Sequence, residues 1–272
     1  MVGLRLLLSA GLAVLATSAS ADGYSSEWAV GLKSSARLLA GDRADGRLLA
    51  GVEIKLAPGA ITYWRDPGEA GLPPVFSFAG SLNLAEARPL FPAPQRLKEN
   101  DGEAFGYDHS LVLPIEVTAI DPGKPVDLSL KLNYAVCEKI CVPAKAAFNL
   151  TIDPGAAPSP YAAAIAEARG AAPRPVEWSD LAGKAKLATA GDKKWRLCFE
   201  SPQSSDRDLF IEGPERWWFG VTRESSARPS ESCFLVRLEQ KPQDAHLPVK
   251  ARLTVTGSPG AFETEVLLGD PS

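Results

Sequence analysis

The segment Val126-Asp-Leu-Ser-Leu-Lys-Leu-Asn-Tyr134-Ala-Val-Cys137-Glu-Lys-Ile-Cys141-Val-Pro143 decides how the first half of the chain folds. Its first eight residues alternate apolar and polar side chains, which is typical of a β-strand with one buried face. Residues four apart along such a strand are separated by about 13 Å, whereas the Cα atoms of a disulfide lie within about 7 Å. A disulfide between Cys137 and Cys141 therefore requires the chain to turn back between them, in a tight hairpin or a helical turn.

Short β-forming segments occupy most of the remaining chain. Examples are residues 51–56, 111–117, 147–152 and 232–238, and Pro-Gly pairs separate several such segments. A Pro-Gly pair favours a turn, because proline fixes φ and glycine accepts positive φ. Many short strands with few helices predict an all-β fold of the β-sandwich type.

Changes in composition divide the chain into four parts. Residues 1–21 have a basic residue, a short apolar run and small residues before Asp22, which predicts a cleaved signal peptide and a location outside the cytoplasm. Residues 22–153 form the first predicted sandwich, and residues 176–272 form the second. Between them, residues 154–175 are rich in Pro and Ala and predict a linker with one short helix.

Composition also argues against several classes of function. The net charge is −4 and no basic run is present, so nothing favours nucleic-acid binding. The two histidines, His109 and His246, lie far apart in the sequence and have no serine-nucleophile context. We therefore expect no histidine-rich metal site, no cofactor, and no transmembrane segment in the mature chain.

The four cysteines permit three pairings, of which proximity favours Cys137–Cys141 and Cys198–Cys233. A bridge between Cys198 and Cys233 would join two strand-like segments, so we expect it to be structural. The Cys137–Cys141 bridge would close a very small loop, which removes little entropy from the unfolded chain. A redox-active pair, a structural hairpin and a soft-metal site remain open for it at this point.

The wider sequence around the first pair resembles a known family. Tyr134-x-x-Cys137-x-x-x-Cys141-x-Pro143 is similar to the cysteine motif of the N-terminal periplasmic domain of the thiol:disulfide interchange protein DsbD, particularly in its ScsB-type relatives. Residues 61–74 resemble the aromatic-rich turn of that family. Residues 92–94, 104–108 and 111–114 resemble its cap loop and the strand that follows. The resemblance covers about residues 25–152.

The resemblance implies an immunoglobulin-like sandwich in which an aromatic cap shields a redox-active cysteine pair. Combined with the strand pattern, it predicts two immunoglobulin-like β-sandwich domains joined by a short helical linker. The implied catalytic residues are Cys137 and Cys141, and we expect Cys141 to attack first. The implied surrounding residues are Phe105 and Tyr107 as the cap, with Tyr63, Trp64, Asp101, Glu103, Tyr134 and Pro143 near the site.

By the same resemblance, we expect the chain to be a periplasmic thiol:disulfide oxidoreductase of the protein-disulfide reductase type. It would receive reducing equivalents from a membrane-embedded thiol–disulfide donor and pass them to periplasmic thioredoxin-fold clients. The sequence lacks the multi-spanning membrane segment and the thioredoxin-like domain of the full-length family, so we expect that donor to be a separate polypeptide. Two alternatives are a binding or scaffold module with two structural disulfides, and a Cu(I)-handling protein.

Overall fold

A computed structural model describes residues 23–69, 71–99, 102–200, 207–226, 228 and 230–269. The predicted signal peptide lies outside these residues. The described part of the chain is mostly β-strand, arranged as two successive pairs of sheets with one short α-helix between them. The all-β prediction is therefore confirmed, and the helix accounts for only a small share of the structure. No helix among the described residues is long and apolar enough to cross a membrane.

The first pair of sheets lies within residues 23–152. Its strands are β1 Ala29–Val30, β2 Ser34–Ala44, β3 Arg47–Leu56, β4 Ile61–Gly68, β5 Val75–Ser77, β6 Leu84–Pro89, β7 Gln95–Glu99, β8 Gly102–Tyr107, β9 Leu111–Ala119, β10 Val126–Cys137 and β11 Cys141–Ile152. One sheet has the order β1-β2-β3-β9-β6, and the other has the order β11-β10-β4-β8-β7 with β5 also paired to β10. All of these pairings are antiparallel.

The alternation seen in the sequence of β10 determines which of its faces is buried. Val126, Leu128, Leu130 and Leu132 are at most 1% exposed and belong to the core between the two sheets. The intervening residues point away from that core, because successive side chains on a strand face opposite sides. Cys137 is an odd number of positions away from each of these leucines along the strand, so its side chain lies on the outward face of the sheet.

The second pair of sheets follows a short helical connection. The connection holds α1 Ala162–Gly170 and, after the next strand, a 3-10 helix over Trp178–Leu181. The strands are β12 Arg174–Pro175, β13 Ala185–Gly191, β14 Lys194–Glu200, β15 Asp208–Glu212, β16 Trp218–Glu224, β17 Glu231–Gln240, β18 Val249–Thr256 and β19 Phe262–Leu268. The two sheets have the orders β12-β19-β18-β15 and β13-β14-β17-β16.

Helix α1 packs against the first sandwich. Ile165 is fully buried and forms a cluster with Leu39 and Leu49. Near the end of the helix, Arg169 donates hydrogen bonds to Glu116, a 4% exposed carboxylate on β9. The residues that link the two sandwiches are thus held on the surface of the first one.

The two sandwiches also contact each other directly. Phe210 of β15 is 1% exposed and belongs to the hydrophobic core of the first sandwich. Its ring meets Phe105 edge-on at 4.9 Å between centroids and Trp64 at 5.8 Å. Arg65 forms ion pairs at 2.7 Å with both Glu212 and Glu263 of the second sandwich. Apolar packing and paired charges together join the two sandwiches.

We expect the Glu116→Gln variant to lose about 2 kcal/mol of unfolding free energy at pH 7, since hydrogen bonds to a buried charge are lost. The Glu116 carboxylate accepts hydrogen bonds from Arg47, Arg88 and Arg169. Burial raises the pKa of Glu116, but the hydrogen bonds and charges of Arg88 and Arg169 outweigh it, so the folded-state pKa is lowered. The stabilisation is therefore present above the unfolded pKa of about 4.3 and is lost as pH falls through the folded pKa.

Urea unfolding of the wild type and the variant at pH 7 and at acidic pH measures this effect. The difference between the two proteins should shrink at the acidic pH, because the wild-type carboxylate is then protonated. Glu265→Gln is the matched control, since Glu265 pairs with Lys250 on the surface and its loss should change stability much less than the loss of Glu116. An equal loss of unfolding free energy in both variants would contradict the stabilisation that we assign to the buried Glu116 carboxylate.

Candidate functional site

The candidate site lies at the end of the hairpin formed by β10 and β11. Cys137 is the last residue of β10 and Cys141 is the first residue of β11, and the two pair directly in the antiparallel register. Their Cα atoms are 4.0 Å apart and their sulfurs form a disulfide. Residues 138–140 form the turn, so the chain reverses between the cysteines as the spacing argument requires.

The two cysteines differ strongly in exposure. Cys137 is 2% exposed because β10 lies inside the sheet, with β11 on one side and β4 on the other. Cys141 is exposed because β11 is the edge strand of that sheet. Attack on a disulfide requires access to one sulfur, and Cys141 offers that access.

Tyr63 connects the buried sulfur to an acid. Its hydroxyl oxygen lies 2.6 Å from the sulfur of Cys137 and 3.4 Å from that of Cys141. The hydroxyl donates its hydrogen bond to Oε1 of Glu99 at 2.7 Å. Burial, reinforced by the hydrogen bond and charge of Glu99, raises the pKa of Tyr63 well above its usual value. The phenol therefore remains protonated at neutral pH.

Glu99 lies beside the exposed sulfur. It is 8% exposed, and its Oε1 is 2.9 Å from the sulfur of Cys141. A disulfide sulfur carries no proton, so this contact becomes a hydrogen bond only when Cys141 is a thiol. Glu99 is therefore positioned to accept that thiol proton. Its other oxygen, Oε2, is buried without a hydrogen-bond partner among the described residues.

The site residues predicted from the sequence do not include Glu99. The acids predicted near the site are Asp101 and Glu103. Asp101 lies outside the described residues, and Glu103 is half exposed and paired with Arg96. The available signal was position, because Glu99 immediately precedes the polar sequence Asn100-Asp101-Gly102. Only the register of β7 on β8 brings that strand end to the sulfurs.

The structure places Phe105 away from the sulfurs, which differs from the predicted cap. Ala104 belongs to the cluster around Cys137, and the next residue on the strand must face the opposite side. The Phe105 ring accordingly contacts Phe210 of the second sandwich and the guanidinium of Arg96. In this arrangement Phe105 belongs to the contact between the sandwiches.

Tyr107, the second predicted cap residue, is also a core residue. It is 1% exposed and its hydroxyl donates a hydrogen bond to the carbonyl oxygen of Pro92. Burial raises its pKa, with a smaller opposing effect from Arg65. Tyr107 has the same strand parity as Phe105, so it too faces the core side of β8. Neither residue is placed to shield the disulfide.

The other predicted neighbours divide between the two faces of the sheet. Trp64 is fully buried on the core side, one residue from Tyr63 and on the opposite face. Tyr134 is also on the core side, where its hydroxyl and that of Ser34 are 2.8 Å apart. Pro143 is exposed and has the same parity as Cys141 on β11. Of these three, only Pro143 lies on the face that carries the sulfurs.

The loop after β4 covers the ring of Tyr63. Gly71 has a φ of +95°, and a Cβ built on it would lie 2.2 Å from Cε1 of Tyr63. Real Cβ atoms do not approach this closely, so any other residue at position 71 would displace the loop or the ring. Glycine is thus required at position 71 both by the positive φ and by the close approach of the Tyr63 ring.

We expect Gly71→Ala to speed reduction of the Cys137–Cys141 disulfide by a small thiol, because the loop or ring that packs at the site must move. The variant should also lose about 1–3 kcal/mol, the typical range for a strained backbone position. Gly80→Ala is the matched control, since Gly80 has a φ of +94° but a Cβ built on it would meet nothing nearer than Ser129 Oγ at 3.9 Å. Alkylation after timed thiol exposure measures the rate, and equal rates in the two variants would contradict the steric argument.

The second disulfide joins Cys198 of β14 to Cys233 of β17. The two residues pair directly in register, with Cα atoms 4.1 Å apart, and are 9% and 6% exposed. Each cysteine is next in sequence to a core residue, Leu197 or Phe234, so both cysteine side chains lie on the outward face of their sheet. Lys186 and Glu224 flank them on the neighbouring strands. Both cysteines are buried here, which contrasts with the exposed Cys141.

Two groups among the described residues bring three possible metal-ligand atoms within 4.8 Å of one another. One contains Glu99, Cys137 and Cys141, and the other contains Cys198, Glu231 and Cys233. The two groups differ in whether both oxygens of the glutamate already have polar partners. Both oxygens of Glu231 have polar neighbours, Lys186 Nζ and Ser226 Oγ, whereas Oε2 of Glu99 has no such partner.

Comparison with known proteins relates the first sandwich to a redox family. Residues 35–152 match the family described as "Thiol:disulfide interchange protein DsbD, N-terminal". In three dimensions the chain is similar to the N-terminal periplasmic domain of ScsB from Proteus mirabilis, with a TM-score of 0.71 and 18% sequence identity. The alignment covers 91% of this chain and 99% of that chain. It therefore shows a shared fold that includes both sandwiches.

Two further comparisons are less informative. A marsupial T cell receptor aligns with 89% of this chain and 100% of its own, at 10% identity and a TM-score of 0.21, which is too low to support an argument. No curated protein sequence matches the chain.

Proposed function

We propose that the chain carries reducing equivalents through Cys137 and Cys141, because residues 35–152 match the N-terminal domain family of the thiol:disulfide interchange protein DsbD. The observation that carries this proposal is the disulfide between an exposed Cys141 and a buried Cys137. One cysteine is exposed to a partner, and the other is buried with its sulfur beside the Tyr63 hydroxyl. A purely structural bridge needs no such asymmetry.

In the proposed reduction, a thiolate of the donor attacks the sulfur of Cys141. A new bond forms between the donor sulfur and Cys141, the bond between Cys141 and Cys137 breaks, and its electron pair goes to Cys137. The Tyr63 hydroxyl, 2.6 Å away, can turn its single proton from Glu99 towards the resulting thiolate and donate a hydrogen bond to it. A second donor thiolate then attacks the donor sulfur and releases Cys141, which takes a proton, and the donor becomes a disulfide.

Reduction of a client reverses these steps. The Cys141 thiol loses its proton to Glu99 Oε1, which is 2.9 Å away in the oxidised form, and the thiolate attacks a disulfide of the client. Cys137 then attacks Cys141 to release the reduced client and restore the disulfide. The negative charge of Glu99 disfavours a lasting thiolate at Cys141. Glu99 therefore serves to accept the proton rather than to store the charge.

The donor and the clients follow from the family. We infer that a membrane-embedded thiol–disulfide protein reduces the chain and that periplasmic thioredoxin-fold proteins oxidise it. Two observations support a periplasmic location: the signal-like residues 1–21 and the fold shared with a periplasmic domain.

Exchange with a dithiol protein of the thioredoxin fold tests the proposal. The oxidised chain is mixed with a reduced thioredoxin in equal amounts, quenched with acid at timed points, and alkylated for mass spectrometry. We expect the peptide containing Cys137 and Cys141 to acquire two alkyl groups within the time course, while Cys198 and Cys233 remain bonded. If the first disulfide resists reduction as fully as the second, the redox proposal is wrong and a scaffold module with two structural disulfides is favoured.

A further inference from the structure

A buried carboxylate oxygen without a partner points to a second property of the same site. Glu99 is more than nine-tenths buried, and its Oε2 has no hydrogen-bond partner among the described residues. Buried polar atoms nearly always have a partner, because leaving one unsatisfied costs about 1–3 kcal/mol. The ligand atoms of Glu99, Cys137 and Cys141 all lie within 4.8 Å of one another. The oxygen nearest the sulfurs is Oε1, 2.9 Å from that of Cys141. A cation bound by both sulfurs and by both oxygens of the carboxylate would therefore also satisfy Oε2.

We propose that the reduced protein binds one Zn²⁺ through the sulfurs of Cys137 and Cys141 and the carboxylate of Glu99. The inference rests on the proposed function, because the disulfide has no free thiolates and the site exists only after reduction. The dithiol donor supplies the two electrons for that step. Binding then releases two protons, one from each thiol, and forms two zinc–sulfur bonds.

The ligand set favours zinc over other biological ions. Zinc accepts thiolate sulfur together with carboxylate oxygen, and it takes four ligands in tetrahedral geometry. Magnesium and calcium prefer oxygen ligands alone, whereas Cu(I) is selected by soft sulfur ligands and gains little from a carboxylate. Three protein ligands leave one position open for water or a partner group. Tyr63 is a poor candidate for that position, because its hydroxyl already donates a hydrogen bond to Oε1 of Glu99.

Bound zinc would make electron delivery depend on the metal. Both thiolates would be coordinated, so neither could attack a disulfide until the ion leaves or shifts. The exposed Cys141 provides the route by which the ion enters and leaves. The reduced pair would thereby be protected against bulk oxidants while it waits for a client.

The second cysteine group provides an internal control. Cys198, Glu231 and Cys233 satisfy the same distance criterion. However, Oε1 of Glu231 is 3.7 Å from Lys186 Nζ, and Oε2 accepts a hydrogen bond from Ser226. A cation there would displace an ion pair and a hydrogen bond. We therefore expect this group to bind no zinc even when its disulfide is removed or reduced.

Zinc titration of the full chain tests the inference. The protein is reduced with a phosphine, freed of reductant without oxygen, and titrated with Zn²⁺ against a chromophoric chelator while proton release is recorded. We expect one ion per reduced chain and none per oxidised chain. Glu99→Gln should weaken binding at least about 10-fold, and Cys141→Ser should abolish it. The double variant Cys198→Ala/Cys233→Ala should bind as the wild type does.

The outcomes separate this inference from the proposed function. If the reduced wild type binds no zinc but its disulfide still exchanges with thioredoxin, the zinc site is wrong and the redox role stands. Equal zinc affinity in wild type and Glu99→Gln would show that Glu99 is not a ligand and would overturn the three-ligand site. If zinc binds to phosphine-reduced protein that thioredoxin cannot reduce, the redox proposal fails and the metal site remains.

Discussion

The Cys137→Ala variant should accumulate a stable mixed disulfide with an oxidised thioredoxin-fold partner, whereas Cys141→Ala should accumulate almost none. In the first variant the remaining thiol is the exposed Cys141, with the Glu99 carboxylate 2.9 Å from its sulfur. It can attack the partner, and no second cysteine is present to resolve the product. In the second variant the remaining thiol is Cys137, which is 2% exposed.

Reactivity towards a small disulfide reagent measures the same asymmetry without a partner. We expect the thiol of Cys137→Ala to react at least about 10 times faster than that of Cys141→Ala, since thiol reactivity follows access and thiolate formation. Non-reducing electrophoresis and intact mass report the trapped complex. Both variants retain the Cys198–Cys233 disulfide, which serves as an internal reference for folding. Equal trapping by the two variants would contradict the assignment of Cys141 as the attacking sulfur.

The hairpin geometry could be predicted from the sequence because it follows from chain dimensions alone. Cys137 and Cys141 cannot bond along an extended strand, so a disulfide implies a reversal within residues 138–140. The alternation in residues 126–133 predicts the strand that leads into it. These are local properties, and the structure reproduces them as a direct cross-strand pair with Cα atoms 4.0 Å apart.

The neighbours of the sulfurs depend on strand register, which is not a local property. Glu99 reaches Cys141 because β7, β8, β4 and β10 lie side by side in one sheet, although the two residues are 42 positions apart in the sequence. The side chain of Ala104 belongs to the cluster around Cys137, so the side chain of the next residue, Phe105, points to the opposite face of the sheet. A shift of one residue in register would exchange the two faces. Resemblance to a family identified the region but not these orientations.

Phe210→Ala should destabilise both sandwiches, although Phe210 belongs to the second one. Its 1% exposed ring packs among core residues of the first sandwich and meets Phe105 and Trp64 edge-on. Arg96 lies over the same ring, 5.1 Å from its centroid. Removing a buried phenylalanine ring typically costs about 3–5 kcal/mol through lost contacts and the cavity that remains. Part of that loss should appear in strands β4 and β8.

Hydrogen exchange followed by mass spectrometry can locate the effect. Phe210→Ala should increase amide exchange in β15 and also in β4 and β8, which carry Tyr63 and Ala104 beside the disulfide. Phe234→Ala is the matched control, because Phe234 is fully buried within the core of the second sandwich. That variant should increase exchange in β14 and β17 while leaving β4 and β8 unchanged.

The same two variants connect the contact between the sandwiches to the site. Phe105 and Ala104 are adjacent on β8, one facing Phe210 and the other facing the Cys137 cluster. If β8 loosens when Phe210 is lost, Tyr63 and Cys137 lose a packing partner, and a small thiol should reduce the disulfide faster than in Phe234→Ala. Unchanged exchange in β4 and β8 together with an unchanged reduction rate would mean that the second sandwich does not support the redox site.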